Sequence, residues 1–166
     1  SLPLYTGPCP KWACDYVRNN LLNKKSEKRN SSFERIYISR EDSTYRKVIN
    51  DNEVTNFLSN KGFKKIMLTP LTLEEKINIF ASAKIIVSPV DAGLTNLLFC
   101  DPGAKVIELS ANSMYCDVYW KISYIRNLDY YRMETEIAPP EKKDPPIENL
   151  IVNIEKLSKI LRIAGV

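Results

Sequence analysis

Residues 84–109 read KIIVSPVDAGLTNLLFCDPGAKVIEL: an apolar strand-like run, a turn of small residues, a short helix-like segment and a second strand-like run. A strand that feeds a helix through such a turn aims the helix N-terminus at one point beyond the strand. The first N–H groups of the helix have no intrahelical partner there, and the aligned peptide dipoles add partial positive charge. A phosphate or pyrophosphate suits that point, with Asp91, Gly93, Leu94 and Asn96 around it. An ordinary strand-to-helix turn has the same spacing, so this segment alone does not decide. Arg40 and Arg46 follow another strand-like run, ERIYIS, and bring fixed charge and forked donors that match a diphosphate. Glu108 closes the run AKVIEL, where a carboxylate can accept hydrogen bonds from ribose hydroxyls. By spacing alone the arginines read equally as surface cations in a polar loop, and Glu108 as an exposed strand-end carboxylate.

Other chemistries are removed by what the chain lacks. There is no histidine among the 166 residues, which eliminates imidazole bases, histidine-held metals and Ser-His or Cys-His nucleophiles. Cys9, Cys14, Cys100 and Cys116 show no C-x-x-C spacing, so no zinc site is expected, although Cys9 and Cys14 can form a disulfide. No D-x-D run occurs, and Asp51-Asn52-Glu53 reads as a helix start, so neither a metal nor a cofactor is expected. A net charge of +4 suits a small anionic ligand but not the dense basic face of a nucleic-acid binder. No apolar run approaches the roughly 18 residues of a membrane span. Asn30-Ser31-Ser32 matches the N-glycosylation pattern, from which we draw no compartment. Because the chain begins at Ser1, a piece of a longer protein is expected.

The elements that position these residues alternate. Ala13, Tyr16, Val17 and Leu21 recur at helical spacing before a polar stretch, residues 23–32. Strands at 34–39 and 64–69 then alternate with helices at 51–61 and 73–83, and KIIVS and AKVIEL continue the pattern, with DYYRMETEI as a last strand. Short apolar strands separated by helices imply an α/β fold with a parallel sheet. Thr72 with Glu75, and Asn50 with Glu53, have capping-box spacing. A Pro-rich connector precedes a stripe of Ile147, Leu150, Ile151, Ile154, Leu157 and Leu161 that reads as a terminal helix. The expected division is residues 1–32 as helix and linker, 33–138 as core, and 139–166 as connector and terminal helix. A strand order of 2-1-3-4-5 would place a switch point between the first and third strands, bringing Arg40 and residues 88–93 to one crevice. Tyr115, Tyr119 and Trp120 read as core or interface packing, with base or sugar stacking as the other possibility.

The motifs IYISRED-x3-R, NDNEV, K-G-F, LTLEEKI-x-IFASA and AGLTNLLFCDPGAKVIEL, in that order over residues 33–109, resemble glycosyltransferase family 61, which includes capsular-polysaccharide transferases. The resemblance implies an inverting transferase using a nucleotide-sugar donor and a glycan acceptor. Its architecture would be GT-B-like, with two Rossmann-like halves. This chain would be the three-layer, donor-binding C-terminal half, partnered by a missing N-terminal domain, in the cytoplasm. Arg40 and Arg46 match the family's paired arginines, Glu53 its Asn-Glu acid, Asn96 the Asn of its turn, and Glu108 its strand-end Glu. The family's H-G-A-G-L is replaced here by Val90-Asp91-Ala92-Gly93-Leu94. Asp91 adds negative charge where a pyrophosphate would sit; like charges at about 4 Å repel by about 1 kcal/mol in water. It is therefore expected to cap the helix or to recruit a cation. The catalytic base is not assigned to this chain, and the isolated chain is not expected to turn over. The rival reading is a degenerate, non-catalytic Rossmann-like module. A dinucleotide oxidoreductase is disfavoured because ISREDSTYR contains no glycine.

Overall fold

The computed structural model describes residues 10–22, 33–111, 113, 116–139 and 148–166. Cys9, the 23–32 stretch, Asn30-Ser31-Ser32, Tyr115, Ile147 and nearly all of the Pro-rich connector lie outside the described residues. In chain order the elements are α1 (Lys11–Leu21), β1 (Arg35–Ser39), α2 (Asp51–Ser59), β2 (Lys64–Met67), α3 (Leu73–Ser82), β3 (Ile85–Pro89), a 3-10 helix (Ala92–Phe99), β4 (Lys105–Ser110), α4 (Val118–Ile125), β5 (Asp129–Glu134), β6 (Glu136–Ile137), β7 (Leu150–Ile151) and α5 (Ile154–Ile163).

β1 to β5 form a five-stranded, all-parallel sheet in the order β2-β1-β3-β4-β5. This is the order on which a switch point between the first and third strands was conditional. The central strands are apolar on both faces because helices cover both: Ile36, Ile86, Val87, Val106, Ile107 and Leu109 are fully buried. α2 packs on β1 and β2, α5 packs on β5, and α3, the 3-10 helix, α4 and α1 pack on one another. With right-handed crossovers, this order places α2 on one face and α3, the 3-10 helix and α4 on the other. The result is a Rossmann-like α/β domain.

Three local expectations change. The Thr72–Glu75 capping box forms, with Thr72 and Glu75 satisfying each other's backbone N–H groups. At Asn50 it does not form. The Asn50 carboxamide instead brackets Val152, accepting from its N–H at 3.0 Å and donating to its carbonyl at 2.8 Å. Correspondingly, the C-terminal stripe is not one helix. Leu150 and Ile151 are taken into β7, which pairs antiparallel with β6, and α5 starts only at Ile154 behind an Asn153 cap. The expected last strand breaks at Thr135 for the same reason, its tail forming β6. In α1 the fully buried residue is Cys14, while Tyr16 and Trp12 face outward.

Phe80 on α3 is fully buried in the core. Phe80→Ala is expected to cost about 3–5 kcal/mol through lost transfer energy and a residual cavity. Trp12→Ala, at a 73%-exposed position, should leave the urea midpoint nearly unchanged. Equal losses for the two would contradict this core assignment.

Candidate functional site

The carboxyl end of β1 is held by a buried carboxylate. Asp51, in the first turn of α2, accepts from Tyr37 Oη at 2.6 Å, Ser39 Oγ at 3.0 Å, Lys65 Nζ at 2.6 Å and Thr55 Oγ1 at 3.3 Å. Burial alone would raise its pKa, but the hydrogen bonds from Lys65, Tyr37 and Ser39 outweigh it and hold the carboxyl below its ordinary value. Burial and then Asp51 push the Tyr37 phenol far up. Lys65 is raised despite partial burial, by Asp51 and Glu41. Reading Asp51 as a helix start was incomplete. Tyr37 and Lys65 are register partners, so they share a sheet face, and this places a cation beside a buried phenol. That was the available signal.

Arg40 follows β1 directly and is only 8% exposed. Its guanidinium donates to Ser43 Oγ at 2.8 Å and to the Tyr45 carbonyl at 3.1 Å, lies over the Tyr45 ring, and pairs with Asp91. Its buried Nε has no hydrogen-bond partner. Asp91 Oδ2 accepts from Gly93 N–H at 3.2 Å, and the Asp91 carbonyl accepts from Leu94 N–H at 2.9 Å. The Asp91 carboxylate thus stands between a guanidinium and the start of the 3-10 helix, where an external anion would find its donors. A Cβ at position 93 would come within 2.6 Å of Leu68 Cδ1, so that side chain would have to shift. Leu94 is buried in the core, and Asn96 Nδ2 donates to the Gly93 carbonyl at 2.8 Å, so both shape this turn.

Arg46 adopts a left-handed backbone (φ 54°), a conformation that is uncommon outside glycine. The loop is clamped beside it: Lys47 N–H donates to Asn149 Oδ1 at 3.0 Å, and Leu150 N–H donates to the Lys47 carbonyl at 2.7 Å. The Arg46 guanidinium lies 5.9 Å from the Tyr45 ring centroid and has no ion pair among the described residues. The Tyr119 phenol shows what converges nearby. Its pKa is pushed up to about 12 by burial and by Cys116, Asp91 and Glu108, against a pull from Arg46. Glu108 itself is fully buried, in register with Ser88 on β3 and Arg132 on β5. Neither carboxylate oxygen has a well-formed hydrogen bond. Burial pushes its pKa up, although Tyr130, Ser110 and Arg132 favour the charged form. It is therefore not an exposed strand-end group.

The structure brings together Arg40, Arg46, Asp91, Gly93 and Glu108 at the carboxyl ends of β1, β3 and β4. Glu53 is instead exposed on α2, accepting from Asn50 Nδ2 at 2.8 Å. A larger cavity, about 720 Å³, lies at the opposite end of the sheet, beside the starts of β3 and β4. Of the charges on its wall, Glu34 pairs with Lys84 and Asp101 with Arg18.

A five-stranded parallel sheet covered by helices on both faces, with the strand order reversing at its centre, belongs to the class of Rossmann-like α/β domains. The comparison with known proteins narrows this class: the glycosyltransferase 61 family matches residues 2–107, and the chain belongs to that family. It is 27% identical over 120 residues to the EGF domain-specific O-linked N-acetylglucosamine transferase of Canis lupus familiaris, covering 68% of this chain and 22% of that protein. The Gallus gallus protein of the same name is 24% identical over 146 residues, covering 79% and 27%. The chain therefore spans about a quarter of the length of these relatives.

The raised pKa of Glu108 fixes a sign for stability. An unfolded glutamate ionises near pH 4.3, whereas the folded chain still holds the proton there. Stability should fall as pH rises through the unfolded value and level off once the folded carboxyl ionises. Glu108→Gln removes this fall, so urea unfolding across pH 4 to 8, roughly, should give a flatter profile with no loss at neutral pH. A less stable variant at neutral pH would contradict the assignment.

Proposed function

We propose that this chain is the donor-binding half of an inverting glycosyltransferase, with a nucleotide-sugar donor. The observation that supports it most is the grouping of Arg40, Arg46, Gly93 and Glu108 at the switch point, with the buried Arg40 Nε left without a hydrogen-bond partner. Buried groups of this kind are normally satisfied. In this reading Arg46 and Arg40 carry the charge that develops on the departing nucleoside diphosphate, which is the electrostatic part of the catalysis. Glu108 accepts from the ribose hydroxyls. The base that activates the acceptor hydroxyl comes from the part of the relatives that this chain does not span, in a preceding domain that completes a GT-B-like cleft. The relatives' name favours an N-acetylglucosamine donor and an EGF-domain acceptor over a capsular polysaccharide. EGF domains are disulfide-dense secreted modules, which favours a secretory lumen over the cytoplasm. Among the described residues no helix is long and apolar enough to cross a membrane.

The pairing of Asp91 with Arg40 supports a second reading, a site closed by its own carboxylate in a non-catalytic module. Calorimetric titration of the full-length protein with UDP, GDP, CDP and pyrophosphate separates the two. On the donor-binding reading one nucleotide binds, and Arg46→Ala weakens it about 10- to 100-fold, the range of a charged hydrogen bond. Absence of nucleotide binding would leave the closed module.

Asp91→Gly should strengthen pyrophosphate binding, since it frees Arg40 and the Gly93 N–H from an internal anion. Weaker binding in this variant would instead make Asp91 a residue that positions Arg40 for the ligand.

A further inference from the structure

Among the described residues only Arg46 and Asn127 hold a left-handed backbone without being glycine. Asparagine is enriched in that region, whereas for an arginine it is uncommon and persists only where the surroundings over-determine it. We infer that Asn149, far along the chain, is a positioning residue that fixes the backbone of Arg46 and so the direction in which its guanidinium is presented. This inference rests on the donor-binding reading above and adds to it the residue that orders the arginine without an ion pair among the described residues.

A residue has two soft backbone dihedrals, each a rotation of one flanking peptide plane. At Arg46 a different set of side chains holds each plane. The plane before it carries the Tyr45 carbonyl, which accepts from Arg40 Nη2 at 3.1 Å and from Ser43 Oγ at 3.0 Å, and this fixes φ. The plane after it carries the Lys47 N–H, which donates to Asn149 Oδ1 at 3.0 Å, and this fixes ψ. Arg46 is thus pinned on one side by the other arginine and on the other by the C-terminal segment.

Asn149 is itself buried and held in place. Its carbonyl accepts from Ala138 N–H at 2.8 Å, which ties it to the end of β6. The next residue, Leu150, donates its N–H to the Lys47 carbonyl at 2.7 Å and accepts from Ile49 N–H at 2.8 Å. Those two bonds act on peptide planes beyond the one that sets ψ of Arg46; the Asn149 carboxamide is what reaches that plane. Its removal therefore releases ψ while the backbone clamp between β7 and residues 47–50 stays. With ψ released, the guanidinium takes its presented direction for only a fraction of the time, and the apparent dissociation constant rises by the inverse of that fraction.

The test is calorimetry of the full-length protein with pyrophosphate, UDP, GDP and CDP, on Asn149→Ala, Arg46→Ala and the double variant. Asn149→Ala should weaken pyrophosphate and the nucleotide that binds by about 3- to 10-fold, the range of one neutral hydrogen bond. In the Arg46→Ala background it should weaken them no further, since no guanidinium is left to orient. Asn149→Asp keeps an acceptor oxygen in the same place and should retain most of the affinity. Asn149→Gln displaces that oxygen by one methylene, should show the alanine loss, and serves if the alanine variant does not fold. If Arg46→Ala weakens binding while Asn149→Ala and Asn149→Gln do not, the positioning role is overturned and the donor site stands. An undiminished loss in the Arg46→Ala background also overturns it, because a role in packing alone acts without the guanidinium. Absence of nucleotide and pyrophosphate binding by the unaltered protein overturns both readings.

Discussion

The Asp51 carboxylate is the constraint on which the site geometry rests. Four side-chain donors from β1, β2 and α2 converge on it, so the end of β1 and the start of α2 move as one unit. A buried carboxylate is costly unless its lone pairs are satisfied, and here they are, at the positive end of a helix. Removing a donor would leave part of that cost uncompensated, so the network defines one arrangement of Ser39 and hence one exit direction for Arg40. Without such an anchor, a charged loop at a switch point would be free to sample many orientations.

The electrostatics of the site follow from that fixed exit. Arg40 is directed at Asp91, and Asp91 in turn satisfies the Gly93 N–H in the first turn of the 3-10 helix. The Arg40 guanidinium and the Gly93 N–H are thus arranged around one internal carboxylate. Arg46 stays without an ion pair among the described residues. The loop after β1 therefore carries one guanidinium committed to a carboxylate and one without an ion pair among the described residues. Glu108 adds a fully buried carboxyl whose pKa burial pushes up.

Local signals carried much of the fold. Alternating short apolar runs and helical spacing were enough for the parallel sheet, and Thr72 with Glu75 for a helix start, because these depend on neighbours a few residues apart. Asn50 has the same spacing to Glu53 and behaves differently, since a strand 102 residues later competes for its carboxamide. The C-terminal stripe fails as one helix for the same reason: Leu150 is claimed by the Lys47–Val48 backbone before helical periodicity can assert itself. Arg40 and Arg46 were visible by type. What was not visible was that an aspartate of the turn would pair with the first and leave the second, because that follows only from where β1 and β3 end relative to each other.

The long-range clamp at β7 gives the C-terminal segment a part in the site. Asn149 and Leu150 hold Lys47 from both sides of its peptide, immediately after the left-handed Arg46. A left-handed non-glycine backbone costs roughly 1–3 kcal/mol and persists where its surroundings over-determine it. Here the surroundings are β7 on one side and the Tyr45–Arg40 contacts on the other. The family match ends at residue 107, yet the conformation of Arg46 depends on residues 149 and 150 beyond it. A segment outside the matched region thus sets the orientation of a cation inside it. β7 thus supplies backbone groups that hold the β1–α2 loop, while α5 packs on β5 with Leu157 and Leu161 fully buried.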